Sequence, residues 1–233
     1  MSNDRYTGDK VLRIFSKHAI NRNNFIEKLI VKHLGLDNTD ETLRVLDFGA
    51  GKGEFLLRFV GRKNLKLVST DSDEEYRKNL SAISEVYDSI RDVPGELDAI
   101  YLIDVLEHIE DDRELLGEFY KKLKSGGKLF IYVPARIELY SAFDKKIGHY
   151  RRYSKSELKE KVLKAGFKIS LIKYHEFLVY CFLRLLKLFG AHDKVTEFNV
   201  RVYDRFFVPA CNYMEKVTPA PVGKSLYLVA EKN

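Results

Sequence analysis

The feature that most constrains this chain is a short apolar run that ends on three alternating glycines. Leu43 to Phe48 reads as a buried strand with one carboxylate, Asp47, near its end. Gly49, Gly51 and Gly53 follow, and an amphipathic segment runs from Glu54 to Val60. Strand, glycine turn and helix open the nucleotide-type α/β folds, whose ligands sit at the carboxyl ends of the strands. The glycines let backbone turn sharply and approach a ligand closely. The dinucleotide pattern G-x-G-x-x-G is the obvious rival. Here the third glycine comes one residue early, and Glu54 stands where that pattern wants Gly or Ala. A carboxylate in a first helical turn also repels the pyrophosphate that a helix N-terminus would attract.

The acidic residues around this turn point to a different ligand. Asp47, Glu54 and the later Asp71 suit cationic groups and ribose hydroxyls. S-adenosylmethionine carries an ammonium, a sulfonium and a ribose, and no phosphate. Asp71 follows an apolar run, Leu65 to Thr70, that reads as the second strand. A carboxylate there can accept both ribose hydroxyls; the plainer alternative is a solvated acidic helix start with Asp73 and Glu74. Asp104 follows a clear apolar strand, Leu97 to Ile103, and faces the neighbouring crevice. Asp88 lies near the end of a weak strand, Tyr87 to Ile90, and either approaches an adenine edge or sits in a surface loop.

The rest of the pattern supplies a framework for this turn. Val11, Ile14, Phe15, Phe25, Leu29 and Ile30 carry helical periodicity ahead of the first strand. Helices are expected over Asp73 to Val86, Asp111 to Lys124 and 154 to 165, the last capped at Ser154 or Ser156. Ser125-Gly126-Gly127 reads as a helix stop. Further strands are expected at Lys128 to Val133, Phe167 to Tyr174 and Lys224 to Ala230. Alternation of this kind predicts a mainly parallel sheet covered on both faces. At 233 residues, 45% hydrophobic and 32% charged, the chain reads as one folded α/β domain, residues 1–233. It has an N-terminal helical segment, 1–42, and a helical insertion, 176–217.

Two cysteines, Cys181 and Cys211, form no disulfide framework or metal motif, so a reducing compartment is expected. Met1 to Lys10 is polar and lacks a signal-peptide apolar core, which favours a cytoplasmic location. The stretch Phe177 to Phe189 contains Arg184 and Lys187 and is too short and charged to span a bilayer.

Taken together, these pieces resemble the class I S-adenosylmethionine-dependent methyltransferases. The resemblance rests on Val45-Leu46-Asp47-Phe48-Gly49-Ala50-Gly51-Lys52-Gly53, on Asp71, on Leu97 through Ile109, and on Leu123-Lys124-Ser125-Gly126-Gly127-Lys128-Leu129. Gly148-His149-Tyr150-Arg151-Arg152-Tyr153, then Ala165-Gly166-Phe167, is similar to the small-molecule branch described as type 11 or type 12 domains. The resemblance implies a three-layer, doubly wound, seven-stranded sheet with an antiparallel last strand. It implies S-adenosylmethionine as cofactor and S-adenosylhomocysteine as product. The cofactor contacts would be Asp47, Phe48, Gly49, Ala50, Gly51, Gly53, Asp71, Ser72, Asp88 and Asp104.

Several transferase classes are disfavoured. The turn Ile103-Asp104-Val105-Leu106 lacks the Asp/Asn-Pro-Pro-aromatic motif of base amino methylation, and neither cysteine sits in a Pro-Cys pair after the fourth strand. No His, Asp and Glu set has metal-ligand spacing, so no metal is expected. Proximity to an activated sulfonium then carries the chemistry, with a base needed only where the acceptor must lose a proton. His108 is the first candidate base, although it could instead order the turn after the fourth strand by bonding backbone; His149 is the second. Lys145 to Lys168 holds nine Lys or Arg against two Glu. Within it, Arg151 and Arg152 are expected to pair with an acceptor anion, and Tyr150 and Tyr153 to wall its pocket. Lys155, Lys159, Lys161 and Lys164 read as a wet helix face. The insertion reads as a lid or a dimer face; the alternatives are an apolar substrate pocket or a peripheral membrane contact. The expected partner is a small molecule, with monomer and homodimer both open. An RNA methyltransferase, suggested by the basic stretch, is the alternative enzyme; against it, no separate RNA-binding domain or basic tail is visible. A cofactor-binding protein without catalysis is the non-enzyme alternative.

Overall fold

A computed structural model describes residues 18–37, 40–188 and 196–233. The expected periodicity at Val11, Ile14 and Phe15 lies outside the described residues. Seven strands form one sheet in the order β3-β2-β1-β4-β5-β7-β6. They are β1 (Leu43–Phe48), β2 (Leu65–Thr70), β3 (Glu85–Tyr87), β4 (Leu97–Ile103), β5 (Leu123–Pro134), β6 (Lys168–His175) and β7 (Ser225–Glu231). Six run parallel, and β7 is antiparallel to both its neighbours, β5 and β6. The chain reverses direction across the sheet between β1 and β4, which pair in parallel through Val45–Ala99 and Asp47–Tyr101. Such a switch point leaves a crevice at the carboxyl ends of the two strands.

The central strands are buried on both faces, so they read as continuous apolar runs rather than alternations. Their side chains still divide with period two. Leu46, Ile100, Leu102, Leu129, Ile131 and Leu228 enter one cluster with Leu116, Phe119, Leu158 and Val162. The last four belong to α3 (Asp112–Lys122) and α5 (Lys155–Lys164). Val45, Ala99, Tyr101, Phe130, Tyr132 and Val229 face the other way, onto Ile26, Ile30 and Leu34 of α1 (Ile20–Leu34) and onto Phe59. The remaining helices are α2 (Glu74–Leu80), α4 (Ala142–Lys146), α6 (Phe177–Leu188), α7 (Glu197–Val202) and α8 (Val208–Val217).

Three local expectations are corrected. After the glycine turn no α-helix forms over Glu54 to Val60, only a short 3₁₀ turn at Leu56–Arg58. Phe55, Leu56 and Phe59 are all buried, and Gly53 and Gly61 take left-handed conformations on either side, leaving no room for a longer helix. The helix expected over Asp73 to Val86 stops at Leu80. There Ser81 and Ser84 donate their hydroxyls to the Lys78 and Leu80 carbonyls, a competition that weakens helices. The third strand accordingly begins at Glu85 rather than Tyr87. Finally, α3 ends at Lys122, and β5 runs through Ser125-Gly126-Gly127 instead of starting after it. Ser154 does cap α5, accepting from the Glu157 N–H at 3.1 Å.

Candidate active site

The carboxyl ends of β1, β2 and β4 open on a cavity of about 830 Å³. That is the size range of small-ligand and cofactor pockets. Asp47, Phe48, Gly49, Ala50, Gly51, Asp71, Ser72, Asp88 and Asp104 line it, together with Glu107, His108, His149 and Arg152.

One wall is the glycine turn. Gly49 and Ala50 donate their N–H groups to the Thr70 carbonyl at 2.9 and 3.0 Å, which ties the turn to the end of β2. Gly49 has φ +71°, and a Cβ there would stand 2.7 Å from Val105 Cγ1, so only glycine fits. Asp71 is positioned by backbone. Its Oδ2 accepts from Gly51 at 2.8 Å and its Oδ1 from Asp73 at 2.9 Å. Asp47 is 4% exposed. Burial pushes its pKa up to about 7, the Tyr101 hydroxyl draws it down, and the Asp71 charge raises it further. Gly53 is not among the lining residues; its φ of +76° serves the turn itself, against Leu80. Asp88 reaches the cavity while paired with Arg77 at 2.8 Å.

The opposite wall is acidic and histidine-bearing. Asp104 ends β4 in a left-handed conformation, φ +52°. Its carboxylate accepts from Arg22 Nη2 at 2.5 Å. Arg22 is 6% exposed and stacks on the Tyr132 ring at 5.0 Å. The turn after Asp104 carries Glu107 and His108. Both Glu107 carboxylate oxygens are buried without a hydrogen-bond partner. Burial raises its pKa well above the usual carboxylate range, with the Asp104 charge adding to the effect. Burial and the neighbouring His149 lower His108 to about 4, so it is neutral at pH 7. The rings of His108 and His149 meet edge to face, centroids 4.6 Å apart. His149 Nδ1 lies 2.9 Å from Asp144 Oδ1, and its Nε2 lies 3.7 Å from Glu107 Oε1. Asp144, fully buried, is held by Arg152 through bonds of 2.8 and 3.1 Å. Against the opposing effect of burial, His149 and Arg152 bring its pKa to about 2.

The basic loop is divided by the structure. Arg152 lines the cavity but already carries a carboxylate partner. Arg151 Nη1 pairs with Asp112 at 2.7 Å and its Nη2 donates to the Glu110 carbonyl. Tyr153 is fully buried, and its hydroxyl donates to Asp112 at 2.7 Å. Tyr150 is half exposed, and only its N–H, bonded to the Glu107 carbonyl, serves the site. Arg151, Tyr150 and Tyr153 therefore stand outside the cavity; Asp112 draws Arg151 and Tyr153 into the packing of α3, and Tyr150 stays half exposed. Lys161 joins them, 2.6 Å from the same Asp112, and is buried rather than wet.

Three contributors escaped the sequence reading. Arg22 and Asn23 of α1 face the cavity; the polar break Asn21-Arg22-Asn23-Asn24 inside an apolar period was their only signal. Asp144 sits in α4, five residues before His149 and just ahead of the segment read for its cations. The insertion supplies none of the lining among the described residues. Instead Asp204 accepts from the Asn21 and Arg22 N–H groups, both at 2.9 Å, and caps the first turn of α1.

No helix among the described residues is long and apolar enough to cross a membrane. No curated protein sequence matches the chain. A S-adenosylmethionine-dependent methyltransferase from Archaeoglobus fulgidus is similar in structure, with TM-score 0.59, 20% identity, and coverage of 90% of this chain and 94% of that one. So is the cyclopropane synthase MmaA2 of Mycobacterium tuberculosis, with TM-score 0.57, 15% identity, and coverage of 88% and 83%. A Haemonchus contortus phosphoethanolamine N-methyltransferase, solved with S-adenosylmethionine, gives TM-score 0.58, 18% identity, and coverage of 88% and 52%. The methyltransferase domain family matches residues 11–171, and with this sheet order and glycine turn the chain belongs to the S-adenosylmethionine-dependent methyltransferase family.

Proposed function

We propose that this enzyme transfers a methyl group from S-adenosylmethionine to a small-molecule acceptor bound beside His108 and His149. S-adenosylmethionine, when bound, supplies a methyl group already activated as a sulfonium. The observation that carries the reading is one cavity with two chemically distinct walls. The glycine turn with Asp47 and Asp71 suits the cofactor: bare backbone at Gly49 and Gly51, and two carboxylates for cationic groups and hydroxyls. Asp71 would take the ribose hydroxyls on the lone pairs its backbone donors leave open, and Asp47 would face the cationic end.

The other wall holds the acceptor. His108, neutral at pH 7, and His149, held by Asp144, orient a hydroxyl or amine by hydrogen bonding. Phe143 and Ile147 add apolar surface beside them. A base as weak as His108 contributes little proton abstraction, so positioning carries most of the acceleration. Well-oriented intramolecular models gain ~7–11 kcal/mol this way.

The test is incubation with methyl-labelled cofactor and a cell lysate, followed by mass spectrometry of labelled products. Label in low-molecular-mass compounds is expected. Label confined to phenol-extracted RNA would overturn the small-acceptor reading. Cofactor binding without labelled product in any fraction would point to a non-catalytic binding protein.

A further inference from the structure

We propose that Glu107, His108 and His149 form a binding site for one divalent transition-metal ion of the zinc type, on the acceptor side of the cavity. The three residues lie in two loops about forty positions apart, so no spacing in the chain announces them. In the fold, one ligand atom from each comes within 4.8 Å of the other two. Ligands ~2.0–2.2 Å from a tetrahedral zinc stand roughly 3.3–3.6 Å from one another. The 3.7 Å between His149 Nε2 and Glu107 Oε1 is already close to that edge, and the two edges that end on His108 are within 4.8 Å.

Two independent observations support a ligand here. Glu107 is wholly buried, yet both its oxygens lack a hydrogen-bond partner. An orphaned buried carboxylate is costly, and a cation between it and the two imidazoles removes the deficit. His149 is also arranged as metal-bound histidines are: its Nδ1 is held 2.9 Å from the Asp144 carboxylate, leaving Nε2 directed at Glu107. That carboxylate fixes the ring and its tautomer. The charge balance agrees. Asp104 is matched by Arg22 and Asp144 by Arg152, so neither arginine is paired with Glu107. Two imidazoles and one carboxylate suit Zn²⁺, Mn²⁺ or Fe²⁺ better than Mg²⁺ or Ca²⁺, which take oxygen ligands.

The remaining coordination positions face the cavity. The binding proposal stands on the three side chains; its use rests on the methyl-transfer reading. In that use an acceptor hydroxyl binds the ion, which lowers its pKa so that its proton passes to solvent. The oxygen then forms a bond to the methyl carbon as the carbon–sulfur bond breaks, and its electron pair stays on the sulfur of S-adenosylhomocysteine.

The experiment is calorimetric titration of chelator-treated protein with ZnCl₂ and with MnCl₂. S-adenosylhomocysteine binding to every variant serves as the check on folding. One zinc per chain is expected. Glu107→Gln and His149→Ala should each weaken it at least ~10-fold, and Asp144→Asn, which touches the ion only through His149, by ~10–100-fold. No saturable site in the unsubstituted protein would overturn the proposal. So would zinc binding that survives both Glu107→Gln and His149→Ala, since that ion would lie on the surface. Retained S-adenosylhomocysteine binding without zinc sinks the metal site alone; zinc binding without S-adenosylhomocysteine affinity sinks the methyl-transfer reading and leaves the metal site standing.

Discussion

Replacing Asp71 tests the cofactor wall where its geometry is most explicit. An ionised carboxylate offers about four lone-pair sites. Two are already used, by the Gly51 and Asp73 N–H groups at 2.8 and 2.9 Å. The two that remain are matched to the two hydroxyls of a ribose. A hydrogen bond to a charged group contributes ~1.5–3 kcal/mol. Asp71→Ala should therefore weaken S-adenosylhomocysteine binding by roughly 3–6 kcal/mol if both bonds are lost, or two to four orders of magnitude in Kd. Asp71→Asn should fall between: its amide nitrogen cannot accept, so either the Gly51 or the Asp73 N–H goes unmatched, and the bonds to the hydroxyls lose their charge.

The assay that isolates the ribose contact is a double-mutant cycle run by calorimetry. One arm is Asp71→Ala, and the other is a cofactor analogue lacking both ribose hydroxyls. The wild type should lose affinity for the analogue, and the alanine variant should scarcely distinguish analogue from parent. An unchanged Kd in a folded Asp71→Ala protein would refute the contact. So would a full additional loss with the analogue, because Asp71 would then act only by holding the Gly51 turn.

Two further outcomes follow from buried acids. Asp47 titrates near pH 7 in the fold against 3.8 for an ordinary aspartate, so between those values the folded state holds the extra proton and stability falls as pH rises. Apo Asp47→Asn should be more stable than wild type in urea at pH 8, by a few kcal/mol at most (~1.4 per pKa unit), with the gap closing toward pH 4, and it should bind S-adenosylmethionine more weakly; an equal gap at both pH values would contradict the assignment. Asp112 accepts from Tyr153, Lys161 and Arg151 at 2.7, 2.6 and 2.7 Å, and its pKa is lowered by those partners against burial. Its contribution is present above the unfolded pKa and lost as pH falls through the folded one, so Asp112→Asn should cost about 3–5 kcal/mol at pH 7 in urea unfolding and leave S-adenosylhomocysteine affinity unchanged.

The sequence was legible where ligand-facing residues follow their strand directly. Gly49 and Gly51 after β1, Asp71 after β2 and Asp104 after β4 all face the cavity, because a parallel strand delivers its next residue to the same edge of the sheet. Period and composition also located β1, β2 and β4 to the residue. Legibility failed where a side chain's role depends on a partner from elsewhere in the chain. Arg151, Arg152 and Tyr153 look alike in sequence. Asp112 on α3 pulls the first and last into packing, and Asp144 holds the second at the cavity. Lys161 looks like its neighbours on α5, yet it is buried on that same Asp112. The carboxylate that decides for Arg151, Tyr153 and Lys161 lies on α3, outside any local pattern.

The described residues of the insertion shape a site that they do not line. Asp204 caps α1 by accepting from Asn21 and Arg22 N–H groups. That fixes the first turn of α1, from which the Arg22 side chain reaches Asp104 and Asn23 reaches Glu54 at 2.5 Å. A second tie runs through Glu176, held at φ +67° at the end of β6. Its carboxylate accepts from the Tyr203 hydroxyl of the insertion and from Lys224 and Ser225 before and in β7. Lys224 and Ser225 themselves border the cavity. Both ties end on the carboxyl edge of the sheet, one through α1 and one through β7. Residues far from any reacting atom thus set where Arg22 stands, and Arg22 pairs with the Asp104 carboxylate on the wall opposite the glycine turn. Change in the insertion is therefore felt at the site as a shift of α1 rather than as a lost contact with ligand.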